Sequence, residues 1–134
     1  MAAIEELIRS EEDGTLSFGN YKLSAKAKAE DFVHAGDLYK VKTFQEITKL
    51  EKNGLFAYES VPGTSVKAFC ETEEGVSFLV EGCGNVQLTV GLQDDTEYLV
   101  HVNGTDMGRM RTNLGGKLSL GVELNGIVKV EIRK

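Results

Sequence analysis

Apolar and polar residues alternate with a period of two through most of this chain. In 118–124, leucine and valine occupy the even positions, while serine, glycine and glutamate occupy the odd ones; 128–133 repeats the alternation. A strand with this pattern turns one face to a core and the other to water. Turn-forming residues recur about every ten positions, with no helix-length period between them. We therefore predict an all-β fold, an antiparallel β-sandwich or barrel of roughly 9–11 short strands.

Asparagine–glycine pairs and similar turn pairs mark the predicted hairpins. A tight type I′ turn needs positive φ at both central residues, which asparagine and glycine adopt at the lowest cost. Asn53-Gly54 predicts a hairpin that leads into a strand at 55–61. Three more pairs divide the last third of the chain, Glu97 to Arg133, into a predicted four-strand meander: Asn103-Gly104, Gly115-Gly116 and Asn125-Gly126.

The rest of the chain contains further short strands. Gly19-Asn20 predicts a compact first hairpin that joins 15–18 to 21–23. The segment 24–32 is ambiguous, because its alanines and lysines favour a helix by propensity yet alternate with period two, so it is a strand or a loop. Further strands are predicted at 38–43, 65–72, 76–81 and 86–92.

The N-terminal segment has helical rather than strand spacing. Ile4, Leu7 and Ile8 lie on one side of a helix, with acidic residues opposite. We predict a short amphipathic helix over residues 1–9, followed by antiparallel strands over 14–133, within a single domain of residues 1–134. Such a short helix needs a surface to lie on. We favour this domain's own sheet, with a neighbouring subunit as the alternative.

Charge and hydropathy narrow the function classes. The net charge is −6, which argues against nucleic acid as a partner. Lysines between 22 and 52 interleave with acidic residues, which is typical of a solvated surface. No apolar run reaches the roughly 20 residues that cross a bilayer, and the first residues lack the pattern of a signal peptide. We therefore expect a cytoplasmic protein without a membrane partner.

Candidate chemistry is sparse. Cys70 and Cys83 are expected to be unpaired structural thiols, because strand geometry would separate them within a hairpin and a cytosolic setting disfavours disulfides. His34 and His101 lack convergent metal ligands at recurring spacing. No nucleophile elbow, phosphate loop or calcium loop has complete spacing. We therefore assign no catalytic, cofactor or metal residues, and an enzyme is not indicated.

Three stretches carry a family resemblance. Residues 36–43, 58–64 and 112–119 resemble a group of small bacterial proteins, some of which are labelled endosialidases. The resemblance implies a bacterial source and adds a reason to consider a glycan ligand. No sialidase residue is carried over, because the chain has no tryptophan and only four arginines. Exposed tyrosines could stack on sugars, although core packing is the favoured role for them.

The leading hypothesis is a non-enzymatic cytoplasmic β-domain that self-associates or binds a protein partner through sheet edges or the N-terminal segment. The alternative is a carbohydrate-binding or glycan-processing accessory domain. The segment 107–111 breaks the alternation and places arginines beside methionines, so it is the first region where we expect a contact. The candidate interaction surface comprises Ile4, Leu7, Ile8, Met107, Arg109, Met110 and Arg111.

Overall fold

The computed structural model describes Ile4 and residues 6–134. All regular secondary structure in these residues is β, and no helix there could cross a membrane. The predicted all-β antiparallel fold is confirmed. The strands are β1 (Ile8–Ser10), β2 (Leu16–Phe18), β3 (Ala27–His34), β4 (Asp37–Thr43), β5 (Thr48–Lys52), β6 (Leu55–Val61), β7 (Ser65–Thr72), β8 (Gly75–Gly91), β9 (Glu97–Val102), β10 (Thr105–Arg111) and β11 (Lys117–Arg133).

Two long strands, β8 and β11, form the centre of the fold. Each has 17 residues, and they pair antiparallel over their whole length, from Lys117 opposite Gly91 to Arg133 opposite Gly75. Because β11 occupies one edge of β8, β6 and β7 must share the other edge, and each pairs with a different half of it. The two halves of the long pair therefore belong to two different groups of strands.

The two groups face each other across one core. The first group continues from β6 through β5 and β4 to β3, and the second from β7 through β2 to β1. The ring of Phe18 on β2 lies 5.2 Å from that of Tyr58 on β6, edge to face. On one side, His34 of β3 contacts Ser10 of β1 through a 2.7 Å hydrogen bond. The sheet is therefore nearly closed and barrel-like.

Buried hydroxyl groups hold the break between β6 and β7. Thr64 lies in this break, and its Oγ1 is 2.7 Å from both Tyr58 Oη and Ser60 Oγ. Thr48 Oγ1 accepts a hydrogen bond from the Thr64 N–H and donates one to the Thr64 carbonyl. Burial raises the pKa of Tyr58 above its usual range, so its hydroxyl stays protonated and can donate within this cluster.

Some predicted turns are confirmed and others are wrong. Asn53-Gly54 and Asn103-Gly104 adopt the expected positive φ values and join β5 to β6 and β9 to β10. Asn125-Gly126, however, lies inside β11, where Gly126 is opposite Gly82 of β8. Gly126 and Gly84 both have positive φ, at nearly the same level of the two strands. The pair β8–β11 thus continues through this point, and the four-strand meander is in fact three strands.

The predicted helix over residues 1–9 is wrong for the residues that the structure describes. Residues 1–3 and 5 lie outside the described part of the chain. Leu7 has a φ of 73°, and Ile8–Ser10 forms β1. The N–H of Ile4 donates to the carbonyl of Gly19 at 3.1 Å, and the N–H of Gly19 donates to the carbonyl of Leu7 at 2.9 Å. A two-turn helix is marginal by itself, so pairing with the β2 region prevails.

The first predicted hairpin is also different in the structure. β2 pairs with β1 and β7, whereas 21–23 form no strand. The ambiguous segment is β3, which pairs with β4. The second partner of β2, β7, is distant in sequence, and propensity along the chain carries no information about it. β3 instead forms a hairpin with the next strand along the chain.

Candidate functional site

The N-terminal part of the predicted interaction surface lies in the interior. Ile4 and Ile8 are 0% and 4% exposed, and Leu7 packs partly buried against the core. The favoured packing of this segment on its own sheet agrees with these positions. Ile4 and Ile8 are thus covered by the core of their own chain, whereas Leu7 stays partly exposed.

The other part of that surface lies on β10, an edge strand that, among the strands of residues 6–134, pairs with β9 alone. Arg109 lies 3.8 Å from a carboxylate oxygen of Glu97, and Arg111 lies 3.2 Å from one of Asp95. Both arginines are therefore paired with exposed acidic groups.

The methionines of this segment differ from each other. Met107 is 48% exposed, whereas Met110 packs partly buried against the core. The pairing with β9 shifts register between Asp106 and Arg109, and Asp106 Oδ1 accepts a 2.7 Å hydrogen bond from the Gly108 N–H. Bulges and charges of this kind protect an edge from further pairing.

The edge of β11 provides a second candidate site. β8 pairs with one edge of β11, and β9 pairs with the other only at 130–133. Within the described part of the chain, no strand pairs with residues 118–128 on that side. We call this stretch the open edge.

An asparagine caps each end of the open edge. Asn113 donates its N–H to the Lys117 carbonyl and accepts the Lys117 N–H at Oδ1. Asn103 does the same for Lys129, at 2.8 Å in both bonds. Outward backbone groups alternate along an antiparallel strand, and the register with β8 has no shift here. The groups between the caps that point out of the sheet therefore belong to positions 119, 121, 123, 125 and 127.

The side chains of the open edge offer little protection. Even positions from 118 to 124 are buried, while the odd ones face solvent. Glu123 is the single charged residue between 118 and 127. Two exposed apolar side chains lie near its ends, Leu114 at 83% exposed and Ile127 at 46%. A long, weakly charged edge of this type is a template for pairing with another strand.

The cysteines and histidines do not come together into a catalytic or metal-binding site in the described part of the chain. Cys70 lies opposite Ser77, whereas Cys83 lies opposite Asn125, and both thiols are free. His34 is bonded to Ser10 and to the carbonyl of Gly14. Among residue 4 and residues 6–134, no group of three or more histidine, cysteine or acidic residues could hold a metal ion.

The tyrosines are mostly interior. Tyr39, Tyr58 and Tyr98 are buried, so they do not form an exposed aromatic surface. Tyr21 is half-buried and lines an open hollow of 510 Å³ with Lys22, Gln45, Pro62, Gly63 and Cys83. Burial, and then the negative charge of Glu81, raise the pKa of Tyr21.

The open edge had only a partial signal in the sequence. The scarcity of charge in 118–127 is visible there, but which strand edge lacks a neighbour depends on the topology. Comparisons with known proteins add no further assignment: no family model, no curated protein and no solved structure matches the chain.

Proposed function

We propose that this β-domain works by self-association, through antiparallel pairing of the open edges of two copies. The observation that carries the proposal is the row of outward backbone groups at 119, 121, 123, 125 and 127, which no described strand of the same chain meets. An antiparallel edge can pair with a copy of itself about a two-fold axis, which is the commonest symmetry of soluble oligomers. Such pairing would join two sheets into one.

Charge selects the register of this pairing. Complete overlap of the outward groups would place Glu123 opposite Glu123, and like charges directly opposite are unfavourable. A register centred on Val122 instead places Glu123 opposite Gly121, which has no side chain. This second register pairs the outward groups of positions 119, 121, 123 and 125, while Lys117 stays bonded to Asn113, so we choose it.

Exposed apolar residues support the same arrangement. In the chosen register Ile127 of one copy lies opposite Lys117 of the other. Lys117 follows the exposed Leu114 by three residues. Antiparallel pairing therefore brings Ile127 near the Leu114 end of the partner copy. Burying these two side chains would remove from water apolar surface that the single chain exposes.

The expected affinity is modest. The ladder would contain about eight backbone hydrogen bonds, each worth about 0.5–1.5 kcal/mol net. Association costs on the order of 4–15 kcal/mol in lost freedom. Hydrogen bonds alone thus roughly offset this cost, and the apolar contacts at the two ends add the surplus. We expect dissociation constants in the micromolar range or weaker.

Light scattering during size-exclusion chromatography tests the proposal. Over a protein concentration series up to about 1 mM, the mass should rise from 14.6 kDa toward twice that value. Amide hydrogen exchange at 119, 121, 123 and 125 should slow as the dimer forms. A constant monomer mass, with unchanged exchange at these amides, would overturn the proposal.

A further inference from the structure

A shallow hollow on the outer face of the sheet borders the middle of the open edge. It has a volume of 400 Å³ and lies where Gly121 of β11 is directly opposite Gln87 of β8. On the other side of Gln87, the directly opposite residue is Val61 of β6, whose apolar side chain is exposed. Because Gly121 has no side chain, the side chain of Gln87 is the last one before the open edge at this level of the sheet.

The amide of Gln87 reaches over this glycine. A Cβ atom built on Gly121 would have Gln87 Oε1 as its nearest neighbour, at 3.8 Å. Gln87 is exposed, and across the described part of the chain its amide has no hydrogen-bond partner within 3.5 Å. Val61 offers no polar group from the other side. The amide is therefore free to bond with a group that arrives at the open edge.

Glu123 is a second group without a partner at this place. It is exposed on the same outer face, two residues after Gly121, and it lines the same hollow. Among residue 4 and residues 6–134, no group forms a hydrogen bond or an ion pair with its carboxylate, and this includes the directly opposite Asn85. An amide donor and a carboxylate acceptor thus lie unused at the centre of the open edge.

The antiparallel pairing proposed above brings these two groups together. In the register centred on Val122, Glu123 of the second copy is directly opposite Gly121, which is itself directly opposite Gln87. The three residues then form one row across three strands, on the same face. Directly opposite Cα atoms are about 4.5 or 5.5 Å apart, so the outer two are about 10 Å apart. Two side chains of this length can meet above a glycine.

We propose that Gln87 of each copy donates a side-chain hydrogen bond to the Glu123 carboxylate of the other copy, across Gly121. This inference rests on the proposed self-association and names the side chains that fix its register. A two-fold axis repeats the contact, so each dimer contains two such bonds. In complete overlap Asn125 would face Gly121 instead, so the contact with Glu123 exists only in the register centred on Val122.

A double-mutant cycle with the complete chain tests the contact. Gln87→Ala should weaken dimerisation about fivefold, because two solvated hydrogen bonds are lost. In the Glu123→Ala background the same change should weaken it by less than about twofold, because the acceptor is already absent. Glu123→Gln keeps an acceptor oxygen, so alanine is the substitution that removes the contact. Sedimentation equilibrium measures the four dissociation constants, and thermal unfolding should show that each variant is folded.

The side-chain amide signals of Gln87 in NMR spectra give a second readout. They should shift as the protein concentration rises, whereas those of Gln45, an exposed glutamine between β4 and β5, should not. Gln45→Ala is the matched control and should dimerise as the wild type does.

The outcomes separate this contact from the self-association itself. If the wild type dimerises but Gln87→Ala has the same effect in both backgrounds, or none, the contact is wrong and the self-association stands. Unshifted Gln87 signals in a dimerising protein would lead to the same conclusion. If the wild type remains a monomer up to about 1 mM, the self-association is wrong and the contact with it.

Discussion

The free edges of β10 and β11 differ in how far they are protected from pairing with another strand. β10 is short, has a bulge, and carries Arg109 and Arg111 paired with acidic residues of the β9 region. The open edge of β11 has no register shift and carries Glu123 as its single charge. Since unprotected edges invite pairing, the contrast is one of protection: β10 carries a bulge and paired charges, and the open edge carries neither.

The largest effect should come from proline at the centre of the open edge. The Gly121 N–H points outward, so Gly121→Pro removes a donor of the dimer without removing a hydrogen bond to β8. Losing this donor from each copy, with the steric cost of the rings, should weaken dimerisation about 100-fold. Sedimentation equilibrium measures this change. Gly121→Ala retains the N–H and is the control; equal behaviour of the two variants would contradict the assigned role.

Removing the protection of β10 should produce the opposite behaviour. The double variant Arg109→Thr and Arg111→Thr leaves an edge with β-favouring residues and fewer charges. We expect species larger than a dimer, because each dimer would then present two further pairing edges. Light scattering over a concentration series detects them. An unchanged mass distribution would show that the bulge alone protects this edge.

The bulge of β10 should contribute a smaller, local effect on stability. Asp106→Ala removes the hydrogen bond from Gly108 N–H to the carboxylate, which should cost about 1 kcal/mol of unfolding free energy. Urea denaturation measures the loss, and Asp106→Asn, which keeps a side-chain acceptor, should retain most of it. Equal losses in the two variants would assign the effect to charge.

Neutralising the one charge of the open edge should have the smallest effect. In the register centred on Val122, Glu123 faces Gly121, so Glu123→Gln should strengthen the dimer by less than about fivefold. In complete overlap the two Glu123 side chains face each other, and the gain would be larger. The dimerisation constant of this variant therefore decides between the two registers.

The sequence by itself determined the inner and outer faces of the strands and two of the hairpins. Alternation between 118 and 133 predicts which side chains are buried, and Asn53-Gly54 and Asn103-Gly104 form turns because the strands on both sides are neighbours along the chain. These features depend on local geometry and on the period of side-chain direction. Local turn geometry and the alternation of side-chain direction can both be inferred from the sequence without knowing which distant strands pair.

The tertiary structure alone decided the features on which the proposed self-association rests. Asn125-Gly126 continues a strand because β8, with its own glycines, pairs through the same level. The open edge exists because β9 pairs with only the last residues of β11. Each depends on long-range strand pairing, which local sequence patterns do not encode.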